Sequence, residues 1–450
     1  MAVLLLITSV VFAVVALIAE YRALKKKKRL TITSFFLLVF VFTYGILPLL
    51  VVFLYLFEGF SISTSNYSFD YSEKGLFYTW IWQIFSIFSY VIVKKAAKHK
   101  ETLKSATYGD AGLKIETTAL EYTVIICLVA GIISLYLWSR AYGGIIELIK
   151  VGSAVRSRLS RVVNDLAFFK HIAKSVLTIS YASLILVKQG KHKLFNAVIF
   201  LISFSFSILY LLANDGRMSI AFYFLVIGLI MMRIFEIRAI SRKKKIGITL
   251  LLVTAVVFIL NLDSITYYIK FGVWGSEQQG TLLHSLLNEL AFIMISGQKA
   301  LQHAASFKML IIDDILCGLF AWFPTSIKPV ETINIWNYNT ELATIGFWGQ
   351  FPCDFLSTSL YDLSFLGPFL FPLFWGKILS KIEKMPKNGS IVKIICYYAL
   401  FTPLIRTVDY CLLYDFVLGM FPLALFLIVY AVLRRILIGR GGHLSTIGSN

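Results

Sequence analysis

AVLLLITSVVFAVVALIAE at 2–20, followed by YRALKKKKR at 21–29, decides the class of this protein. About 20 mostly apolar residues are what a helix needs to cross a bilayer. No positive charge precedes the run and a basic cluster from Lys25 to Arg29 follows it, so it reads as an uncleaved anchor, not a secretory signal. Its N-terminus is expected outside. The same alternation continues along the chain. Apolar runs near 33–57, 76–93, 120–138, 172–188, 194–213, 217–234, 246–262, 363–380, 391–405 and 413–433 bring the expected spans to about eleven.

Composition agrees. The 450 residues are 58% hydrophobic and 15% charged, against roughly 25% charged in soluble domains. Mean hydropathy is +0.79. A cytosolic enzyme, a disordered chain and a secreted disulfide scaffold are excluded. The net charge of +19 would suggest nucleic acid in a soluble protein, but here the charges sit in short clusters between apolar runs. Of the 43 Lys and Arg, 29 fall in the connections at 21–30, 94–118, 188–193, 233–245 and 377–393 and in the tail after 433. Cytoplasmic loops carry such an excess, so the C-terminus is expected inside. The expected fold is an all-α polytopic membrane protein, one membrane domain over 1–450 with one large outer cap loop. Cys127, Cys317, Cys353, Cys396 and Cys411 form no CxxC pair, so neither a disulfide framework nor a zinc site is read from them.

Two outer stretches stand apart. The connection 139–174 carries seven basic residues on the side where they are disfavoured. Within it Val155, Leu159, Val162, Leu166 and Phe169 recur at helical spacing, with Arg156, Arg158 and Arg161 away from that stripe. This is an amphipathic interfacial helix. It serves either as an anchor on anionic headgroups or as a site for a lipid-linked diphosphate, whose oxygens suit the planar donors of Arg. The second stretch, 263–360, is too long for a passive connection. It holds Trp274, Trp322, Trp336 and Trp348, half of the eight tryptophans. Tyr267, Tyr268, Lys270, Lys328, Glu341, Asp354, Tyr361 and Asp362 lie in it or just beyond. Rings beside amides and carboxylates suit a sugar; the plainer reading is an aromatic belt at the interface. Between two expected spans, Asn214-Asp215-Gly216-Arg217 presents a cation at the outer mouth of the bundle, either in a substrate path or as a snorkelling Arg paired with Asp215. His284 and His303 have no second histidine at ligand spacing, and adjacent helical carboxylates such as Asp313 and Asp314 diverge. No metal and no cofactor is expected. No P-loop, GxSxG or dinucleotide fingerprint occurs in a fitting context.

LLANDGRMSIAFYFLVIGLIMMR at 211–233, WFPTSIKP at 322–329 and GFWGQFPCDFLSTSLYDLSFLG at 346–367 resemble, in that order and on one side of the membrane, segments of the bacterial O-antigen and oligosaccharide repeat-unit polymerases of Wzy type. The resemblance covers roughly 135–380. Two places depart from it. Where members show a small-Gly-Thr-Arg turn, this chain has Asn214-Asp215-Gly216-Arg217, in which Arg217 matches and Asp215 adds a negative charge beside it; near 284–289, where a basic residue is expected, stand His284 and Glu289. The resemblance implies a glycosyltransferase of the inner (plasma) membrane. It would join polyprenyl-diphosphate-linked oligosaccharides into O-antigen, lipopolysaccharide or capsule-like polysaccharide on the outer face, with a chain-length regulator as a further partner, membrane lipids around it and no nucleic acid. The diphosphate leaving group then needs cations: Arg217, Arg156, Arg158 and Arg161, with Lys270, Lys328 and Arg406 behind them. Asp354, Asp362, Glu341 and His284 are the candidate bases, and Tyr267, Trp322 and Trp348 candidate sugar platforms. A ligase with a different acceptor, or a flippase or exporter of lipid-linked sugars, is the alternative. A membrane acyltransferase built on His171 fits its Lys170 and Lys174 surroundings less well.

Overall fold

The structure, a computed structural model of the chain, describes residues 1–27, 31–62, 68–98, 110–152, 155, 165–214, 217–234, 261–275, 287, 290, 292–323, 333–343, 351–388 and 390–447. Its principal helices are α1 (Ala2–Lys27), α2 (Ile32–Val41), α3 (Leu47–Glu58), α4 (Glu73–Ala96), α5 (Asp110–Arg140), α6 (Ile145–Lys150), α7 (Phe169–Ala173), α8 (Ser175–Gln189), α9 (Lys193–Ala213) and α10 (Arg217–Ile234). They continue as α11 (Leu262–Phe271), α12 (Phe292–Ala304), α13 (Ile311–Leu319), α14 (Ile335–Ala343), α15 (Phe355–Leu363), α16 (Gly367–Lys384), α17 (Ile391–Arg406) and α18 (Leu413–Ile447). Among the described residues, seven stretches are long and apolar enough to cross a membrane: Ala2–Lys25, Ile32–Glu58, Glu73–Ala96, Ile115–Arg140, Lys193–Ala213, Phe355–Lys384 and Leu413–Gly439. The expected span 246–262 lies almost wholly outside the described residues, as does most of the amphipathic segment 151–169.

The chain forms two compact units. The first comprises Met1–Thr102, Gln278–Lys384 and Pro403–Leu418. Its helix ends are written in the sequence. Thr31 caps α2, its hydroxyl accepting from Ser34 N at 3.2 Å. Ser72 caps α4 through Gly75 N at 3.1 Å. Glu73 opens α4, and Lys94 and Lys95 close it, the charges the helix dipole favours at each end. Gly59, at φ +64°, stops α3.

Two breaks inside apolar runs shape this unit. The first is a π-helical turn, Phe42–Ile46, joining α2 to α3. Pro48 has no N–H to give to the carbonyl of Tyr44 four residues earlier. Gln83 Nε2 approaches that carbonyl instead, at 3.4 Å. The second is at Ser364–Leu366. The stretch Phe355–Lys384 could cross a membrane by length and composition, yet it folds back on itself. The Phe355 ring lies 5.0 Å from Phe371, whereas a continuous helix would separate residues sixteen apart by roughly 24 Å. A Cβ on Gly367 would meet the carbonyl of Ser359, so α15 and α16 form a tight antiparallel hairpin. The apolar run at 363–380 therefore corresponds to α16, and α15 is a separate short helix.

α4 is the spine of the unit. Ser89 Oγ donates to Pro368 O at 2.8 Å, and Gly376 lets α16 approach Val93 and Ala96. Gln298 of α12 donates to Gly75 O and Thr79 Oγ1 at 3.0 and 2.9 Å. Gly297 lies directly on the Trp82 ring, where a Cβ would come within 2.6 Å of Nε1. Trp82 is fully buried, so Gly297→Ala forces the ring to shift. The expected loss is about 1–3 kcal/mol of stability, read as a lowered thermal midpoint of the purified protein. An unchanged midpoint would contradict this packing. At the Lys94 end of α4, Glu20 accepts from Tyr90 OH at 2.6 Å and pairs with Lys94 at 2.7 Å.

The second unit comprises Leu103–Glu277, Met385–Thr402 and Gly419–Asn450. α8 and α9 form its central hairpin. The buried Glu121 of α5 holds the turn: Lys191 N, His192 N and Asn196 Nδ2 all donate to its Oε1 at 3.0–3.1 Å. Ser180 and Ser183, both buried, keep the helices close. Tyr223 OH of α10 donates to Ser180 Oγ at 2.9 Å. Glu116 plays a similar part for α17, accepting from Ser390 Oγ at 2.7 Å.

Candidate functional site

The polar centre of the first unit lies where two irregular segments, 351–354 and 407–412, run side by side. Phe355 N donates to Val408 O at 3.1 Å and Cys411 N to Cys353 O at 2.8 Å. Thr358 Oγ1 adds a bond to Cys411 O at 2.7 Å. Backbone leaves its helices here, and the freed groups are met within the protein, as burial requires.

Three ionisable side chains converge. Asp354 is fully buried and caps α15: its Oδ1 accepts from Leu356 N at 2.9 Å and Ser357 N at 3.1 Å, and its Oδ2 from Ser357 Oγ. Tyr44 OH also donates to Oδ1, at 2.7 Å. Asp409 accepts from Thr43 Oγ1 at 3.0 Å. The π-helical turn thus aims two successive side chains, Thr43 and Tyr44, at two carboxylates; such turns recur at functional sites. Tyr44 stands near the middle of the 27-residue apolar stretch Ile32–Glu58, so Asp354 and Asp409 are level with the middle of that helix. Arg406, half-buried at the end of α17, is close enough to attract Asp409 and lies over the Tyr410 ring at 4.5 Å.

Further rings pack on Tyr410. Tyr410 meets Phe292 at 5.1 Å and Trp336 at 6.0 Å. Trp336 Nε1 donates to Cys411 O at 3.2 Å, and Trp322 Nε1 donates to Val417 O at 2.9 Å while its ring remains exposed. An arginine over an aromatic ring, with a carboxylate beside it and further rings behind, can bind an anion and stack a sugar.

Nearby, Asn339 Nδ2 of α14 donates to Ser296 Oγ at 2.9 Å, and Tyr361 OH donates to Asn339 Oδ1 at 2.8 Å. His303 of α12 lies against the Tyr361 ring at 5.1 Å. It has one tautomer available: Lys308 O can only accept, at 3.1 Å, so Nε2 carries the proton and Nδ1 accepts from Tyr338 OH at 3.0 Å. Burial lowers the pKa of this imidazole, which keeps it neutral and internal. None of the five cysteines forms a disulfide. Among the described residues, no three His, Cys, Asp or Glu side chains group as metal ligands.

Of the residues singled out in the sequence, Arg406, Trp322, Asp354 and Asp362 belong to this unit. Asp362 is buried at the far end of α15, and Glu341 is exposed near the end of α14. Arg217 opens α10 and Lys270 lies in α11, both in the second unit, where Tyr267 packs its ring on Phe271 at 4.6 Å. Arg156, Arg158, Arg161, His284, Lys328 and Trp348 lie outside the described residues. Asp409, Tyr410, Tyr44 and Thr43 were not expected. Asp409 carried a signal, as an ionisable residue between the apolar runs 391–405 and 413–433. Tyr44 carried one only through Pro48. No family model matches the chain, and no characterised protein or solved structure is similar to it.

Proposed function

We propose that the protein polymerises polyprenyl-diphosphate-linked oligosaccharide repeat units at the outer face of a bacterial plasma membrane. In this reading it has about eleven spans, an outer cap over 263–360, its N-terminus outside and its C-terminus in the cytoplasm. The observation that carries the reading is Arg406 beside Asp409 and over Tyr410, whose ring in turn meets Trp336, where helices break. The motif order along 211–233, 322–329 and 346–367 supports it.

The chemistry assigns roles. A growing glycan leaves a lipid diphosphate, so negative charge develops on phosphate oxygens. Arg406 offers two parallel N–H donors to such oxygens. Trp336 and Trp322 suit the apolar faces of sugars. The incoming hydroxyl must lose a proton, and Asp409 is the carboxylate next to the cation. The oxygens of Asp354 are already engaged by Tyr44, Ser357 and two backbone N–H groups, so Asp354 positions the site and does not react. Arg217 remains a candidate cation on the second unit.

A second reading, an exporter of lipid-linked sugars, draws on one observation. Asp354 and Asp409 lie level with the middle of an apolar helix, and buried carboxylates at that depth beside broken helices are a transporter feature. Surface polysaccharide from a deletion strain separates the two. The polymerase reading expects single repeat units without a ladder. Loss of the single units, with lipid-linked units building up inside, would replace it with the exporter. A ladder retained on its lipid carrier would indicate a ligase.

A further inference from the structure

Asp314 of α13 and Asp362 of α15 are 3% and 2% exposed. The two helices are joined where Leu310 N donates to Tyr361 O at 3.0 Å. Gly318 seats α13 against Leu413, whose backbone N–H donates to Asp314. The two carboxyls are close enough to repel each other. Each keeps one buried Oδ1 with no hydrogen-bond donor. Among the described residues, no cation forms an ion pair with either carboxyl. The titratable groups that act on the pair's surroundings are Cys353, Cys411 and Asp354, all neutral or anionic. Asp313 turns away from its neighbour and accepts from Ile333 N at 3.4 Å. His303 is bonded to Tyr338 and Lys308 O. Lys308 lies over the Tyr338 ring, and Arg406 is with Asp409 and Tyr410.

Two ionised carboxylates cannot share a dry site without a counter-charge. Moving even one such ion out of water costs several kcal/mol, and like charges at close range raise that further. A metal ion is a poor remedy, because hard cations want six or more oxygens and the Leu413 N–H points into the site. A proton meets both deficits. It removes one charge and gives one unpartnered oxygen a donor for the other.

We propose that Asp314 and Asp362 form a proton-binding site, a carboxyl–carboxylate pair holding one exchangeable proton between α13 and α15. The inference is independent of which transport or transfer reaction the protein performs. It adds a pH-sensitive element one helix away from the Arg406 site. The sign follows from linkage. Burial pushes the Asp314 carboxyl up to about 7, above its unfolded value near 3.9. The folded protein then holds a proton that the unfolded chain has released. The resulting stability is fully present below pH ~4 and is lost as pH rises through about 7.

The test uses the full chain in lipid nanodiscs, with Asp314→Asn and Asp362→Asn beside the wild type. The wild-type thermal midpoint is expected to fall on going from mildly acidic to mildly alkaline pH. Either variant should flatten that fall and stand about 2–4 °C above wild type at alkaline pH. Infrared difference spectra should show a buried protonated-carboxyl band in the wild type that is lost above neutrality. Each variant should lack that pH-dependent band. Variants that keep the wild-type pH slope and the band would overturn the proposal. So would a saturable rise in the alkaline midpoint with sodium chloride but not choline chloride, which would assign the site to a metal cation. If both variants fail to fold, the band is read in Asp354→Asn/Asp409→Asn, which removes the other two buried carboxyls of the site: its absence there at acidic pH overturns the pair.

Discussion

Asp354→Ala is expected to destabilise the first unit by roughly 4 kcal/mol, as several buried donors lose their acceptor at about 1–3 kcal/mol each. Those donors are Tyr44 OH, Ser357 Oγ and the backbone N–H groups of Leu356 and Ser357. The N-cap of α15 is lost with them, a loss of about 1 kcal/mol when taken alone. Asp354→Asn keeps an acceptor at Oδ1 and should lose about 1–2 kcal/mol. Tyr44→Phe removes a single donor, and its loss should be near 1 kcal/mol. The pair share one bond, so the double variant Tyr44→Phe/Asp354→Ala should lose less than the two single losses combined. The measurement is the inactivation rate at a fixed temperature, in nanodiscs. Activity separates structure from chemistry. A positioning role predicts that Asp354→Asn retains polymer synthesis wherever it remains folded. An Asn variant that is stable yet inactive would return Asp354 to the reacting groups.

That variant bears on what a sequence of this kind can disclose. The helices were legible because apolar runs of about 20 residues have few other outcomes. The runs at 2–20, 33–57, 76–93, 194–213 and 413–433 each fall within an apolar helical stretch, and Thr31, Ser72 and Gly59 mark ends by ordinary capping chemistry. The breaks were not legible. Periodicity cannot tell a run that continues from one that folds back, and the reversal at Ser364 rests on contacts of Phe355 with Phe371 and Gly367 with Ser359. The π-helical turn at Phe42–Ile46 has one local sign, Pro48, and that sign does not reveal which partners Thr43 and Tyr44 will meet. The ionisable residues were visible as exceptions in an apolar chain. Their roles were not, because a carboxylate that caps a helix and one that takes a proton look alike in a sequence. Arg406 stands behind Arg217 in what the resemblance implies, and nothing in its own stretch of sequence marks it out. Only its place beside Asp409 and over Tyr410 argues for more.

The functional weight of that place is testable. If Arg406 meets the departing diphosphate, Arg406→Ala should lower the rate of chain elongation ~10²–10³-fold, the range seen when one preorganised donor to developing charge is removed. Arg406→Lys should fall between, because an ammonium supplies charge without the planar fork. A structural explanation must be separated first. Arg406 attracts Asp409, and its removal leaves a buried carboxylate without a counter-charge. The loss of stability this brings is expected in Arg406→Ala and should be relieved in Arg406→Ala/Asp409→Asn, where position 409 no longer carries a charge. If Arg406 acts only as Asp409's partner, the double variant recovers both stability and elongation. If Arg406 acts on the substrate, stability recovers and elongation does not. The measurement is polysaccharide chain length and initial rate from purified lipid-linked repeat units, at matched amounts of folded protein. Wild-type chain length in Arg406→Ala would remove Arg406 from the mechanism and shift attention to Arg217 on the second unit. Elongation lost in Arg406→Ala, partly kept in Arg406→Lys and not rescued by Asp409→Asn is the pattern a diphosphate site predicts.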